Sequence, residues 1–252
     1  MNDLAHKISV DLENHFKRLG VSKNDNLCIH ADLVSIGVYH KDLPNVLLKV
    51  VKKIIGKNGT FSLPLYNYEL NKKKFINMDK DYGSKQNSIL SKYFFKNFKN
   101  TRTSSIFHSH LIDGKLKKKF IKNINYYSFG KNSDFDLFYK NNFKLLLFGC
   151  EPKQAATYIH HVENKLWKTY REKKTFTFII KKNNKILKKK LILKVKKKNI
   201  NQNLNRIFFL PQIKKITKSA KLRFGKSYII NIRELDVLCT KIFKKNPYII
   251  NL

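Results

Sequence analysis

An α/β fold built on a mixed sheet is what this chain predicts, and three observations carry the prediction. Short apolar runs alternate with segments whose apolar residues recur at helical spacing, turn residues punctuate the alternation, and no internal repeat or Gly/Ser/Pro-rich linker divides it. The whole of 1–252 therefore reads as one domain, with a β-rich, lysine-rich insertion at about 175–200.

Each element follows from its own pattern. Leu4, Ile8, Leu12, Phe16 and Leu19 are spaced as one face of a helix, and the segment lacks the apolar core of a signal peptide. Asn26 to Ile29 begin a strand that ends at His30, and Leu43 to Ile55 carry a helical pattern up to the turn GKNG. Thr60 to Tyr66, TFSLPLY, is a β-rich run broken by Pro64. Ser88 to Phe98 look helical, with Ile89, Leu90, Tyr93, Phe94 and Phe98 on one side. Lys144 to Phe148 form an apolar strand closed by Gly149, and a helix is expected from about Gln154 to Tyr170. From Thr175 onward, FTFII and ILKKKLILKV flank the polar turn KKNNK as two strands with lysines on the wet side. Ile232 to Phe243 supply a final helix.

Composition narrows the partners. A formal net charge of +36, from 53 Lys+Arg against 17 Asp+Glu, would draw in nucleic acid, anionic membranes or phosphorylated small ligands. Only Arg18, Arg102, Arg171, Arg206, Arg223 and Arg233 are arginines, however, and the lysines are scattered among Asn, Ile, Phe and Tyr as an AT-rich genome would encode. No zinc-finger spacing or ribonucleoprotein motif is present, so nucleic acid is not an expected partner. Apolar runs such as Leu145 to Phe148 are too short to span a bilayer, and Cys28, Cys150 and Cys239 form neither a disulfide framework nor a zinc site. A cytoplasmic protein is the expectation.

Chemistry concentrates in 155-AATYIHHVENKLW-167. On a continuous helix, Thr157, His160, Glu163 or Asn164, and Trp167 share one face, and His161 points elsewhere. This helix follows the strand KLLLFG, and ligands of α/β sheets gather where strands end and helices begin. A helix N-terminus disfavours positive charge on an imidazole and leaves a nitrogen available as a base. His108 and His110 would be metal ligands only with a third partner, which no diagnostic spacing supplies; no metal is expected. Cys150 reads as a packed strand-end residue.

Five stretches, in order, resemble the aminoglycoside 3-N-acetyltransferase (antibiotic N-acetyltransferase) family. They are 27-LCIHADLVSIG-37, with Ala31-Asp32 where the family has a serine pair; 59-GTFSLPLYNY-68; 102-RTSSIFHS-109, with Ser105 and Ile106 in place of His-Pro; 127-YSFGKNSDFDLFYKNNFKLLLFGC-150; and 156-ATYIHHVE-163. The resemblance spans roughly Asp25 to Glu172, with a weaker echo in the last thirty or so residues.

The resemblance implies that family's mixed-sheet fold and an acyl-CoA-dependent N-acyltransferase. His160 would be the general base, Glu163 its orienting carboxylate and Thr157 a donor to the oxyanion. Coenzyme A would lie at His30, Ala31, Asp32, Leu33 and Ser35, with Arg102 on its phosphates. Tyr66, Asn67, Phe129 and Ser133 would contact the substrate, and a homodimer is compatible. The charge argues about the acceptor. An aminoglycoside is a polycation and needs an acidic pocket, which would require Asp32, Glu69, Asp113, Asp134 and Asp136 to cluster. A nucleotide-linked amino sugar destined for a surface polysaccharide is an anion and is the expected acceptor. An aminoglycoside is the alternative, and a non-catalytic nucleic-acid-binding protein is the alternative of another class.

Overall fold

The computed structural model describes residues 3–68, 75–166 and 171–252. Its centre is three parallel strands, β1 (Asn26–Ala31), β2 (Thr60–Tyr66) and β5 (Phe143–Phe148), with β1 between the other two. Their near-continuous apolar character is what burial on both faces demands. Antiparallel strands complete the sheet as β4-β2-β1-β5-β9-β8, where β4 is His108–Gly114, β8 is Thr217–Lys221 and β9 is Lys226–Asn231.

Side-chain alternation splits the core into two layers. Leu146 and Phe148 of β5 face one cluster, with α1 (Asp3–Leu19), α2 (Leu43–Ile55) and α3 (Ile89–Asn97). Phe143, Leu145 and Leu147 face the other, with α5 (Asp134–Lys140), α7 (Tyr158–Leu166) and α10 (Ile232–Lys245). The short helices α4 (Lys117–Lys122), α6 (Pro152–Ala155), α8 (Asn205–Phe208) and α9 (Pro211–Lys215) fill the margins. Among the described residues no helix is long and apolar enough to cross a membrane.

The sequence-based boundaries of α2 and β2 coincide with the structure. Pro64 does not break β2: β1 pairs only with Thr60, Phe61 and Ser62, so Pro64 lies beyond that ladder. Leu4 is exposed and Ala5 takes its expected place in the core, which rotates the apolar stripe of α1 slightly. Ile89 is likewise exposed beside the buried Leu90 and Phe94.

Two differences bear on the site. The helix expected from Gln154 is interrupted: α6 ends at Ala155, Ala156 leaves helical geometry (φ −77°, ψ 44°), and α7 starts at Tyr158. Ala155 and Ala156 are both buried in the core, so packing overrides the helix preference of alanine. The insertion, expected at about 175–200, lies at 171–196, and its strands are longer than FTFII and ILKKKLILKV. β6 (Arg171–Lys182) and β7 (Lys185–Lys196) form a twelve-pair hairpin turned by Asn183 and Asn184 at positive φ, and β3 (Phe75–Asn77) adds a third strand. This second sheet has its own core of Ile76, Met78, Ile106, Phe178, Ile180 and Leu191.

Candidate active site

At the carboxyl end of β5, Gly149 adopts φ +67°, and a Cβ there would come within 1.8 Å of Ser35 Oγ. Only glycine lets the β5 exit pack against the turn that follows β1. The chain then runs through α6 into α7, whose first turn carries His160.

His160 Nδ1 lies 2.7 Å from Glu163 Oε2, one helical turn away. Glu163 is 1% exposed and is gripped from its other side by Arg171, which donates from Nε to Oε1 at 2.7 Å and from Nη2 to Oε2 at 2.8 Å. Burial works against the Glu163 carboxylate, yet the bonds from His160 and Arg171 outweigh it and hold the group down at about 2. A carboxylate that only accepts assigns the shared proton to Nδ1, leaving Nε2 as the basic nitrogen of an imidazole that lines a cavity. That cavity, of about 770 Å³, is walled by Tyr68, Phe107, His108, Tyr127, Phe129 and Arg171, with β7 residues Ile192 to Lys196 along one side.

The sequence-predicted residues separate into those at this cavity and those behind it. His160, Glu163 and Phe129 meet there. Thr157 precedes α7 rather than sharing its face, is buried, and sets its hydroxyl against the Tyr66 phenol. Tyr66 is buried behind the cavity wall, edge-on to His108 at 4.7 Å and 3.3 Å from His110 Nε2. Asn67 is buried, with neither side-chain atom partnered among the described residues.

Ser133 belongs to the scaffold, not to a substrate contact. It is fully buried, donates to Gly130 O at 2.7 Å and caps α5 by accepting from Asp136 N. Arg102 is also structural. The residue is 5% exposed, its guanidinium donates from Nε to Ser109 Oγ and from Nη1 to the carbonyls of Met78 and Asp81, and its Nη2 is buried with no partner among the described residues. Trp167 and Glu69 lie outside the described residues.

The β1 exit forms a second concavity. Asp32 accepts from Val34 N, Ser35 donates to Asp32 O, and the turn ends at Gly37 in left-handed geometry. Leu33, Val34, Gly37, Val38, Leu43 and Phe224 line a groove of about 500 Å³, with Lys41 also on its wall. His30 is buried, its ring turned to Tyr66 on the opposite face of the sheet from this groove, and its Nε2 has no partner among the described residues. The groove's apolar wall with Lys41 alongside has the chemistry that an acyl-CoA arm would need, which makes it the groove to test for coenzyme A.

Sequence reasoning missed Arg171, which lies beyond the helix and starts a strand, and His108 as a cavity residue. Its Nδ1 is 2.8 Å from Ser128 Oγ, and burial first, then neighbouring His110 and other cations, push it down to about 3. Cys150 is pushed up to about 12 by burial, which removes it as a nucleophile at neutral pH. Among the described residues no cluster of His, Cys, Asp or Glu has the geometry of a metal site.

His161 is 1% exposed, packed against Phe129, Phe135 and Tyr158, and neither ring nitrogen has a partner among the described residues. Burial first, then Lys165, depress it to about 4. Replacing it by leucine removes an unsatisfied buried group, and we expect His161→Leu to gain about 1 kcal/mol or more. The unfolded chain takes up a proton near 6.5 that the folded chain refuses until about 4, so wild-type stability falls as pH drops through that window. The variant lacks this term, and its advantage in urea midpoint should widen between pH 7.5 and pH 5. An unchanged gap would count against the neutral, unpartnered imidazole.

Comparison with known proteins agrees with this architecture. The family model described as aminoglycoside 3-N-acetyltransferase matches residues 28–244. Aminoglycoside acetyltransferase AAC(3)-IVa, as apoenzyme, superimposes with a TM-score of 0.77 at 17% identity, over 96% of this chain and 90% of that one. The YokD protein from Bacillus subtilis gives 0.76 at 16%, over 94% and 99%. AAC-IIIb, in a binary structure with CoASH, gives 0.75 at 14%, over 94% and 96%. A sequence comparison with curated proteins finds no match. With most of its length matched, and with an imidazole–carboxylate pair at a cavity beside the β1 and β5 exits, the chain belongs to the aminoglycoside 3-N-acetyltransferase family of acyl-CoA-dependent N-acetyltransferases.

Proposed function

We propose that this chain acetylates the amine of an amino sugar that carries an anionic group, of which a nucleotide-linked amino sugar of surface polysaccharide synthesis is the concrete form. Bound acetyl-CoA supplies the activated acyl thioester; this chain's residues then have to receive the amine, remove its proton and keep the base oriented. His160 Nε2 faces the cavity as proton acceptor, and Glu163 holds the other nitrogen and stabilises the imidazolium that results. Arg171 keeps Glu163 ionised and in place, which Gln202 supports from 3.4 Å. Thr157, the expected oxyanion donor, is buried immediately before α7.

The observation that carries the acceptor class is the lining of the His160 cavity. Among its described residues there is no aspartate or glutamate, whereas Lys194, Lys196 and Arg171 line it. Four of the five candidate acids are spent elsewhere: Asp32 caps the β1 turn, Asp113 pairs with Lys52, Asp134 is buried against Thr103 and His110, and Asp136 pairs with Lys140, while Glu69 lies outside the described residues. Such a wall attracts phosphate and repels a polycation. Tyr68, Phe107, Tyr127 and Phe129 add flat apolar surfaces suited to a base or a sugar ring.

A second reading, acetylation of an aminoglycoside, is favoured by the family's own description and by the likeness to AAC(3)-IVa. Steady-state thiol release from acetyl-CoA with uridine or thymidine diphosphate amino sugars, set against kanamycin-type acceptors, separates the two. We expect kcat/KM to favour the anionic acceptors at low salt and the preference to shrink as salt is added. Efficient turnover of the antibiotic alone would establish the second reading.

A further inference from the structure

The β6–β7 hairpin has one face that continues outward from the catalytic cavity. Its register pairs Arg171 with Lys196, Lys173 with Lys194, Thr175 with Ile192, Thr177 with Lys190, Ile179 with Lys188 and Lys181 with Ile186. The partners in each pair share a face. At the base of this row, Arg171, Lys196, Lys194 and Ile192 wall the cavity. Toward the tip the row is open among the described residues: Ile179 is 39% exposed, Ile186 63% and Ile192 55%. The opposite face holds Phe178, Ile180 and Leu191 in the second core, so these isoleucines are not needed for packing.

Charge on the hairpin is almost wholly positive. Its one acid, Glu172, is paired to Lys174 at 2.9 Å, leaving Lys188 and Lys190 exposed between isoleucines. Lysine interleaved with branched apolar side chains on a flat exposed face matches a layer where phosphates overlie hydrocarbon. A nucleic-acid surface would call for arginine forks, and this face presents none toward its tip; Phe75 of β3, paired with Ile179 and 49% exposed, extends its apolar part, while Phe176 and Phe178 turn inward. We propose that the exposed half of this face docks the protein on an anionic phospholipid bilayer, which directs the cavity mouth at the base of the same row toward the membrane surface. An acceptor amino sugar carried at that surface would then reach His160 without leaving it. Docking itself stands independently of which acceptor is used.

The test is co-sedimentation of the full chain with vesicles of phosphatidylcholine alone or with about 30% phosphatidylglycerol. We expect binding to the anionic vesicles only, weakened by added salt. Lys188→Gln with Lys190→Gln should lower the partition coefficient about thirty-fold, at roughly fivefold or more per lysine. Ile179→Ser with Ile186→Ser should lower it as well, which a purely electrostatic contact would not show. Acetyl transfer to a soluble amine should be unchanged in both. Lys241→Gln with Lys244→Gln on α10 serves as an equal-charge control that keeps binding. Equal loss in the control, equal binding to neutral vesicles, no binding at all, or displacement from vesicles by polyuridylate at lower concentration than by lipid would each overturn the proposal.

Discussion

His160→Ala is expected to lower kcat by two to four orders of magnitude, the range for removing a positioned general base. The side chain is only partly buried and bonds only to Glu163, so its loss should leave the thermal midpoint nearly intact. Coenzyme A is expected at the β1 groove, whose lining does not include His160, so its affinity, measured calorimetrically, should also persist. Glu163→Gln tests the same unit from the other side. The amide keeps the shape but can no longer enforce the Nδ1–H tautomer, and an intermediate loss is expected. A His160→Ala enzyme within tenfold of wild type would remove the imidazole from the mechanism. His161→Leu, one residue away, should stay within a few-fold.

Arg171→Met is expected to cause the largest loss of stability of any single change at the site, about 3 to 5 kcal/mol. The cause is not the missing salt bridge as such. Glu163 is 1% exposed, and without the guanidinium fork a buried carboxylate keeps only His160 and a 3.4 Å contact from Gln202. The pH dependence gives the sign. In the wild type the folded value, about 2, lies below the unfolded value near 4.5, so Glu163 stabilises the fold above 4.5 and that contribution is lost as pH falls through 2. In the variant, burial is no longer outweighed and the carboxyl moves upward, so it destabilises the fold at neutral pH and is relieved by protonation in acid. The difference in urea midpoint between wild type and Arg171→Met should therefore be widest near pH 7 and narrow below about pH 4.5. Arg171→Lys should recover only part of the loss, since a single ammonium cannot make both bonds. Adding Glu163→Leu to Arg171→Met should recover more stability while abolishing activity. A gap below 1 kcal/mol for Arg171→Met, or one that widens in acid, would contradict the pairing.

The three parallel strands at the centre of the sheet and the helices α1, α2, α3 and α10 were legible in the chain because their signals are local, whereas the antiparallel strands β4, β8 and β9 were not. The period of α2, the unbroken apolar run of β5 and the Asn183-Asn184 turn each depend on a few neighbouring residues. His160 and Glu163 were legible for the same reason, since a spacing of three residues brings them together on any helix. Their assignment to catalysis came from resemblance rather than from spacing.

What the sequence determined by itself, then, was the α/β class, the family and the imidazole–carboxylate pair, all of them short-range patterns or ordered motifs. The tertiary structure alone decided the rest. It broke the helix at Ala156 because the core needed two small residues there, and it withdrew Ser133 and Arg102 from the site by spending their hydrogen bonds on the scaffold. It also brought Arg171 from the first position of a strand onto Glu163. The one local hint was chemical: in a chain so rich in lysine, Arg102, Arg171, Arg206, Arg223 and Arg233 each use the guanidinium on a carbonyl or carboxylate. Which carboxylate an arginine will meet depends on strand register and the packing of two sheets, and no window of neighbouring residues contains that information.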